Sequence, residues 1–562
     1  MRTILSITLL LASTLTFSQT WQWSKQIGGP CLDEASILLV DSSENIYLTG
    51  NYGIYMGWDC EGCYFDEDTL TGSHDAFFAK YSSSGELLWL RDLPCAGWFG
   101  IGSVVLDPEN AALYMLATVN GDCLLDTVSV TAQSAVSVVL AKWNLDGHCL
   151  WARTIASSGL VLDLYCVVGT SLVLDAAGEL MVGIRTSAYG PSQVESALLP
   201  TGAYIGKYDS DGQPLWWKPF ALYSGTQKST YLDVLKRHGD RIYGYGPVVL
   251  PEGVADTTAV DTIQIIGRQG RGFALASIDP ATGVSEWFRM DGFPKGAAGA
   301  ERMSVDGQGN IVVVGSYSHS MAVFGDDTLS SAVSYSKGFI AKYATGGSLL
   351  YVREFVGSDL FGYTGMDLAP DGTMALTGSF RGQISLGGSS FTSSTNKDLF
   401  VAVHDSTGEP QAFMHTGVGS GERTRFLGDD LVVCGVFPST TTPFGSIAIG
   451  GENYTSHGYG DIILARGSLP TNIAFKASTD ERLMIYANPN QGSFRIVMPE
   501  GLRYASNLML RVYDAAGRQL HQQKLDIGNE RPKVDLFSAS PGFYMVTIGN
   551  GQQSYSGNLV VE

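Results

Sequence analysis

Eight histidines, eight cysteines and a scatter of Asp-rich turns are the side chains of this 562-residue chain that could carry chemistry. The histidines are His74, His148, His238, His319, His404, His415, His457 and His521. No HxH or HExxH places two of them on one face, so no metal or acid–base motif is legible among them. His148 and His404 stand beside hairpin turns, where a solvated surface position is the expectation. No GxSxG elbow and no Walker-type phosphate loop occurs. Gly267-Arg268-Gln269-Gly270-Arg271-Gly272 has the spacing GxxGxG, the reverse of the dinucleotide fingerprint. No helical pattern follows it, and a flexible loop is expected there. No catalytic, cofactor-binding or metal-ligating set is assigned.

The cysteines are Cys31, Cys60, Cys63, Cys95, Cys123, Cys149, Cys166 and Cys434. Cys60-Glu-Gly-Cys63 is a redox pair, half a metal site or a local disulfide. No second CxxC completes a four-thiolate zinc site, and no thioredoxin-like βαβ pattern surrounds it. A structural disulfide between Cys60 and Cys63 is the preferred reading, ahead of free thiols and of chemistry. Asp209-Ser210-Asp211-Gly212 resembles the start of a calcium loop, but calcium wants roughly six to eight oxygens. A hairpin turn with Asx hydrogen bonds explains it better, as it does Asp306-Gly307-Gln308-Gly309-Asn310. No cofactor is expected, with calcium the one candidate left open.

Composition limits the partners. Lys plus Arg is 35 against 55 Asp plus Glu, a formal charge of -20. Such a surface repels phosphate backbones, so nucleic acid is excluded as a partner. Met1 and Arg2 precede an apolar run from Ile4 to Leu11, and Thr16 and Ser18 precede Gln19. Residues 1–18 thus read as a cleavable secretory signal. The run is too short to span a bilayer, and no other stretch is long and apolar enough.

The elements that must position any site come from an internal repeat. One unit reads VDSSENIYLTG (40–50), a variable loop, then HDAFFAKYSSSGELLWLRDL (74–93). Equivalent positions are Lys80, Lys142, Lys207, Ser277, Lys342, Val403 and Arg466, spaced 62, 65, 70, 65, 61 and 63 apart. Each unit holds about four short runs rich in Val, Ile, Leu, Tyr and Trp, separated by Gly-containing turns. Four antiparallel strands form one blade, and blades must stack to bury their faces. The fold expected for residues 19–467 is an all-β, seven-bladed β-propeller.

An aromatic-x-basic triplet follows each hairpin glycine, as in Trp89-Leu90-Arg91 after Gly85 and Tyr351-Val352-Arg353 after Gly347. The sixth unit departs, with Ala412 at the aromatic position. The seventh stops at Arg466-Gly467 and lacks the strand. Trp23-Ser24-Lys25 supplies the pattern at the other end of the chain, so residues 21–27 are expected to close the ring. Trp21, Trp23 and Lys25 are its marked residues. The recurring Lys and Arg read as architecture, pairing with acidic turns. A true site is expected where the repeat breaks, in the variable loops 51–73, 186–202, 247–270 and 318–337, and the mouth of the central channel is a natural concave place for one.

The pattern W-x-K-x-I-G-G, D-x-x-x-N-I-Y-L-T-G and D-A-F-F-A-K-Y-x-x-x-G-x-L-L-W resembles the bacterial β-propeller repeat family called SBBP. That resemblance implies the fold and no common chemistry. Residues 468–482 read as a linker. Residues 483–562 carry period-two strands of a small Ig-like β-sandwich. Asn488-Pro489-Asn490-Gln491-Gly492, Val512-Tyr513-Asp514-Ala515-Ala516-Gly517-Arg518 and Pro541-Gly542-Phe543-Tyr544 resemble the type A sorting domain of the type IX secretion system. The resemblance implies passage to the periplasm of a Bacteroidota-type bacterium and recognition of residues 483–562 by the outer-membrane translocon. It places the protein outside the cell or on its surface. Two functions fit: a non-enzymatic protein whose loops bind a glycan or protein ligand, and a polysaccharide hydrolase or lyase with channel-mouth carboxylates.

Overall fold

The computed structural model describes residues 21–468 and 483–561, apart from shorter stretches within them. Those of five residues or more are 55–61, 159–166, 187–191, 223–228, 251–257, 293–297, 331–336, 439–444, 487–491, 497–507 and 526–531. The expected signal peptide and Cys60 therefore lie outside the described residues. The chain divides into two compact units, Met1–Ile473 and Ala474–Glu562. Among the described residues every regular element is a strand.

Among its described residues the first unit has seven larger antiparallel sheets, each with four strands at its centre, and four separate two-stranded hairpins. The first sheet runs Leu32–Val40, Ile46–Ile54, Asp75–Tyr81, Leu87–Leu93. The second runs Phe99–Asp107, Ala112–Val119, Val136–Asn144, Cys149–Ser158, and the third Val167–Leu174, Leu180–Thr186, Gly202–Tyr208, Pro214–Leu222. The fourth begins with Ser229–Thr230 and Val234–His238, then Arg241–Leu250, Gly270–Ile278, Ser285–Asp291. The fifth is Ala298–Val305, Ile311–Tyr317, Lys337–Tyr343, Leu349–Phe355, and the sixth Phe361–Leu368, Met374–Phe380, Asp398–His404, Pro410–Val418. The seventh has Ser420–Leu427, Asp430–Phe437 and Asp461–Ser468. Its fourth strand is Trp21–Gly28, which pairs Trp23 with Arg466 and Gln26 with Ile463.

Apolar faces of successive sheets share cores. Phe78 and Leu93 of the first sheet pack with Met115 and Trp143 of the second. Ile27, Cys434 and Leu464 of the seventh pack with Leu38, Leu48 and Phe77 of the first. Second strands are covered on both faces, so Ala112–Val119 and Met374–Phe380 are buried at every position. The first strands also meet: each touches the next, and Ser420–Leu427 touches Leu32–Val40.

A repeated latch joins each sheet to the next. Gly85, Gly147, Gly212, Gly283 and Gly347 have φ of 69° to 82°, which glycine adopts without strain. A Cβ on any of them would strike a Trp ring of the preceding sheet: Trp23, Trp89, Trp151, Trp216 and Trp287 respectively, each at 2.5–2.9 Å. Gly408 meets Tyr351 in the same way. At three of these turns the carbonyl two residues earlier accepts both from the aromatic and from the repeated cation. Ser83 O takes Trp23 Nε1 (3.0 Å) and Arg466 (2.8 Å). Leu145 O takes Trp89 Nε1 and Lys80 Nζ, both at 3.1 Å. Ser406 O takes Tyr351 OH (3.2 Å) and Lys342 Nζ (3.1 Å). The second basic residue binds the glycine carbonyl itself, as Arg91 Nε does at Gly147 O (2.8 Å). The repeated cations thus meet turn carbonyls and, as expected, acidic side chains as well: Lys207 is held by Asp175 (2.7 Å) and Glu179 (2.6 Å), Lys342 by Asp306 (3.0 Å), Arg466 by Asp430 (2.7 Å), Arg153 by Glu195 (2.9 Å) and Arg289 by Asp291 (2.5 Å).

Three expectations are corrected. The variable loops are in part strands. Each forms a short hairpin at the outer strand of the preceding sheet: Cys63–Phe65 pairs with Trp21–Gly28, Ser192–Val194 with Cys149–Ser158, and Thr258–Val260 with Pro214–Leu222. An outer strand left bare would present unpaired amides and carbonyls, and the hairpins cover it. Gly270–Ile278 is a strand rather than a loop, with Gly270 opposite Leu250. His404 is fully buried, because it occupies the position that Tyr81, Trp143, Tyr208 and Tyr343 hold in other sheets. Its Nδ1 donates to Gly408 O (3.1 Å), and burial lowers its pKa to about 4. His148 is exposed.

In the second unit Ile485–Tyr486, Ser493–Ile496 and Lys533–Asp535 form one sheet. Gln519–Lys524, Met509–Asp514, Gly542–Gly549 and Ser554–Val561 form another. Phe494, Ile496, Leu510, Val512, Val546 and Leu559 share its core.

Trp23→Ala is expected to cost roughly 3 kcal/mol of stability by chemical denaturation, and a chain starting at Pro30 should lose more. Unchanged stability in the shortened chain would show that the seventh sheet does not need its fourth strand. Unfolded His404 protonates near pH 6.5 and folded His404 near pH 4, so its contribution is complete above pH 6.5 and lost as pH falls toward 4. His404→Phe should flatten that acid limb of the stability profile. An unaltered limb would place the acid sensitivity elsewhere.

Candidate functional site

The first strands converge on charged side chains that the repeat does not contain. Six of the seven first strands carry an irregularity against the second strand at the same place. It falls between Ala35 and Ile37, Ile101 and Ser103, Gly169 and Ser171, Ala300 and Arg302, Tyr363 and Gly365, and Gly421 and Arg423. In the fourth sheet the first strand is itself interrupted between Thr230 and Val234. Such bulges bend a strand and re-aim its side chains. Small residues permit the close approach: a Cβ on Gly102 would lie 2.1 Å from the Gly169 carbonyl. Neighbouring first strands are also tied by hydrogen bonds. Leu235 N donates to Ser171 Oγ (2.8 Å), Thr364 Oγ1 to Gly421 O, and Phe426 N to Asp367 Oδ2 (2.8 Å).

Glu34, Asp233, Lys236, Arg302, Asp367, Glu422, Arg423 and Arg425 lie on or beside these strands, each half-buried. Arg185 joins them from a second strand. They act on one another across sheets. Burial lowers the Lys236 pKa to about 8, and Arg425 and Arg302, from the seventh and fifth sheets, push the same way against Asp367. Burial and Arg302 also press the Arg423 guanidinium below its ordinary value. Burial raises Asp233 to about 6, although Arg185 and Arg302 oppose it. Burial raises Glu422, opposed by Arg423, Arg302 and Lys397. Burial, and then repulsion from Glu422, raises Glu34. The carboxyls of Glu34, Asp233 and Glu422 lean toward neutrality while five cations crowd together. An anion placed among them would relieve that repulsion.

The residues marked in the sequence lie elsewhere. Trp21, Trp23 and Lys25 sit on the fourth strand of the seventh sheet, with Lys25 Nζ 2.8 Å from Asp66. Cys63 is a free, buried thiol in place of the expected local pairing with Cys60. Cys95 and Cys123 are bridged, and Cys31 is also disulfide-bonded. The Asp209 carboxylate is engaged by its own turn, accepting from the amides of Asp211 (3.0 Å) and Gln213 (2.8 Å). Among the described residues no group of three or more His, Cys, Asp or Glu is placed to hold a metal ion. Among the described residues no helix is long and apolar enough to cross a membrane. The charged cluster was missed because its residues recur in at most two of the seven units, as Arg302 and Arg423 do beside the bulge. The recurring triplets Ala300-Glu301-Arg302 and Gly421-Glu422-Arg423, a small residue followed by Glu-Arg, were the available signal.

Residues 484–562 match the secretion system C-terminal sorting domain family. That domain indicates export by the type IX system, and with it a secreted or cell-surface protein. No curated protein matches the chain. Among solved structures, the chain is similar to the polysaccharide lyase Uly1, with 9% identity, 79% of this chain and 90% of that one covered, and a TM-score of 0.40. For the plexin A4 extracellular region the values are 10%, 95%, 67% and 0.38. For a mutant Trypanosoma rangeli sialidase they are 7%, 80%, 95% and 0.25. Likenesses of this size assign nothing to the chain.

Proposed function

We propose that residues 21–468 form a seven-bladed β-propeller closed by strand Trp21–Gly28, working outside the cell as a non-enzymatic binding protein. Its ligand is an acidic glycan held in the axial channel by the first-strand cations. The ring is supported by first strands that touch in succession and by latches that run from the seventh sheet to the first. An Ig-like sandwich at residues 483–562 carries the address, and a signal peptide at residues 1–18 starts the route. The observation that carries the ligand class is the gathering of Lys236, Arg302, Arg423 and Arg425 from the first strands of three sheets, close enough to act on one another. A chain of net charge -20 has no general attraction for anions, so local cations must supply it. A hydrolase or lyase acting on the same polymer is the second reading, favoured by the raised carboxyls of Glu34 and Glu422 in one cluster.

Calorimetry on the full-length protein with an oligogalacturonate tests the binding reading. Affinity should fall with rising pH, first as Asp233 ionises near pH 6 and again as Lys236 loses its proton near pH 8. Lys236→Gln should weaken binding about ten-fold at pH 7. Affinity that rises with pH, or ignores this substitution, sinks the reading; chain shortening of the probe would move it to the enzyme. Deleting residues 483–562 should leave the protein in the periplasm. Normal appearance in the medium would remove the sorting role.

A further inference from the structure

A second site lies where the two ends of the first unit meet, away from the charged cluster. Strand Trp21–Gly28 is flanked by the hairpin Cys63–Phe65 with Asp68–Leu70 and approached by the hairpin Ser446–Ile449 with Glu452–Thr455. Between them is an open cleft of about 680 Å³, lined by Ser24, Lys25, Gln26, Tyr64, Asp66, Tyr454 and His457. Tyr64 is 43% exposed, the one aromatic side chain among those described that stands so far in solvent. Its ring leans on His457, with centroids 5.5 Å apart.

The cleft is polar yet electrically balanced. Lys25 Nζ meets Asp66 at 2.8 Å. His457 Nδ1 donates to the fully buried Asp461 at 2.6 Å, which fixes the ring and leaves Nε2 on its other side. Gln26 Nε2 also donates to Asp461 (2.6 Å) and to Thr455 O (2.9 Å). Tyr454 OH donates to Ser24 O (3.0 Å) and lies 2.9 Å from Ser24 Oγ. These groups are held in place before any ligand arrives, so little ordering is needed on binding.

The geometry points to a binding site for an uncharged oligosaccharide at this junction, with Tyr64 as the stacking platform. Lys25 and Asp66, the formal charges that line the cleft, already answer one another, so an ionic ligand finds no unpaired charge there. An exposed ring among hydroxyl, amide and imidazole groups matches a sugar, which has an apolar C–H face edged with hydroxyls. The site is independent of the axial cluster, and either reading can fail alone.

The test titrates the full-length protein with cellotetraose, xylotetraose, mannotetraose and tetragalacturonate. At least one neutral tetrasaccharide should bind. Tyr64→Ala should weaken it ten-fold or more, and Tyr64→Phe should hold it within about three-fold, because the ring and not the hydroxyl carries the contact. Lys236→Gln should not change it. Tyr64 is exposed, so both variants are expected to melt with the parent protein. The inference is overturned if no neutral probe binds, if Tyr64→Ala binds like the parent, or if Lys236→Gln abolishes the binding instead.

Discussion

An aromatic ring laid flat on a turn glycine is the contact on which the larger unit depends. It makes two demands on one residue. The glycine must take a positive φ to turn the hairpin, and it must lack a Cβ so that the preceding sheet's ring can sit on it. At three of the turns the carbonyl two residues earlier then accepts from the ring and from a repeated cation. Apolar contact, turn geometry and hydrogen bonding agree at the same spot, so the sheets are held at a fixed spacing.

The same contact explains why one unit breaks the pattern. Ala412 stands where an aromatic is expected, on the outer strand of the sixth sheet. The sheet it would reach is the seventh, whose third and fourth strands are not joined by a turn. With no hairpin glycine to receive it, an aromatic there would have no seat. The junction is held instead near the first strands, where Arg425 donates to Met366 O at 3.2 Å and Phe426 N to Asp367 Oδ2 at 2.8 Å.

Repetition made much of this legible. Seven copies of one spacing announce strands, turns and the missing strand at Trp21–Gly28, because each copy corroborates the others. What repetition cannot announce is what differs. His404 looked like a surface residue until its neighbours showed that it fills a buried aromatic position. The variable loops looked like irregular connections, but edge protection gives them strands. Glu34, Lys236, Arg302 and Glu422 are far apart in the chain and become neighbours in charge only once the first strands face one another.

The pairing of Trp23 with Arg466 spans nearly the whole first unit. Apart from the short pairing of Ile27 and Gly28 with Phe65 and Tyr64, strand Trp21–Gly28 must wait for a segment more than four hundred residues later before its length is partnered. Bringing such distant segments together carries a loop-closure penalty that local hairpins do not pay, and contacts of this range come late in folding. Six sheets can assemble from neighbouring segments as they emerge, while the seventh stays a three-stranded fragment. A nascent chain of this design remains unfinished until nearly all of it has arrived, which gives a machine that handles unfolded polypeptide a wide interval in which to act.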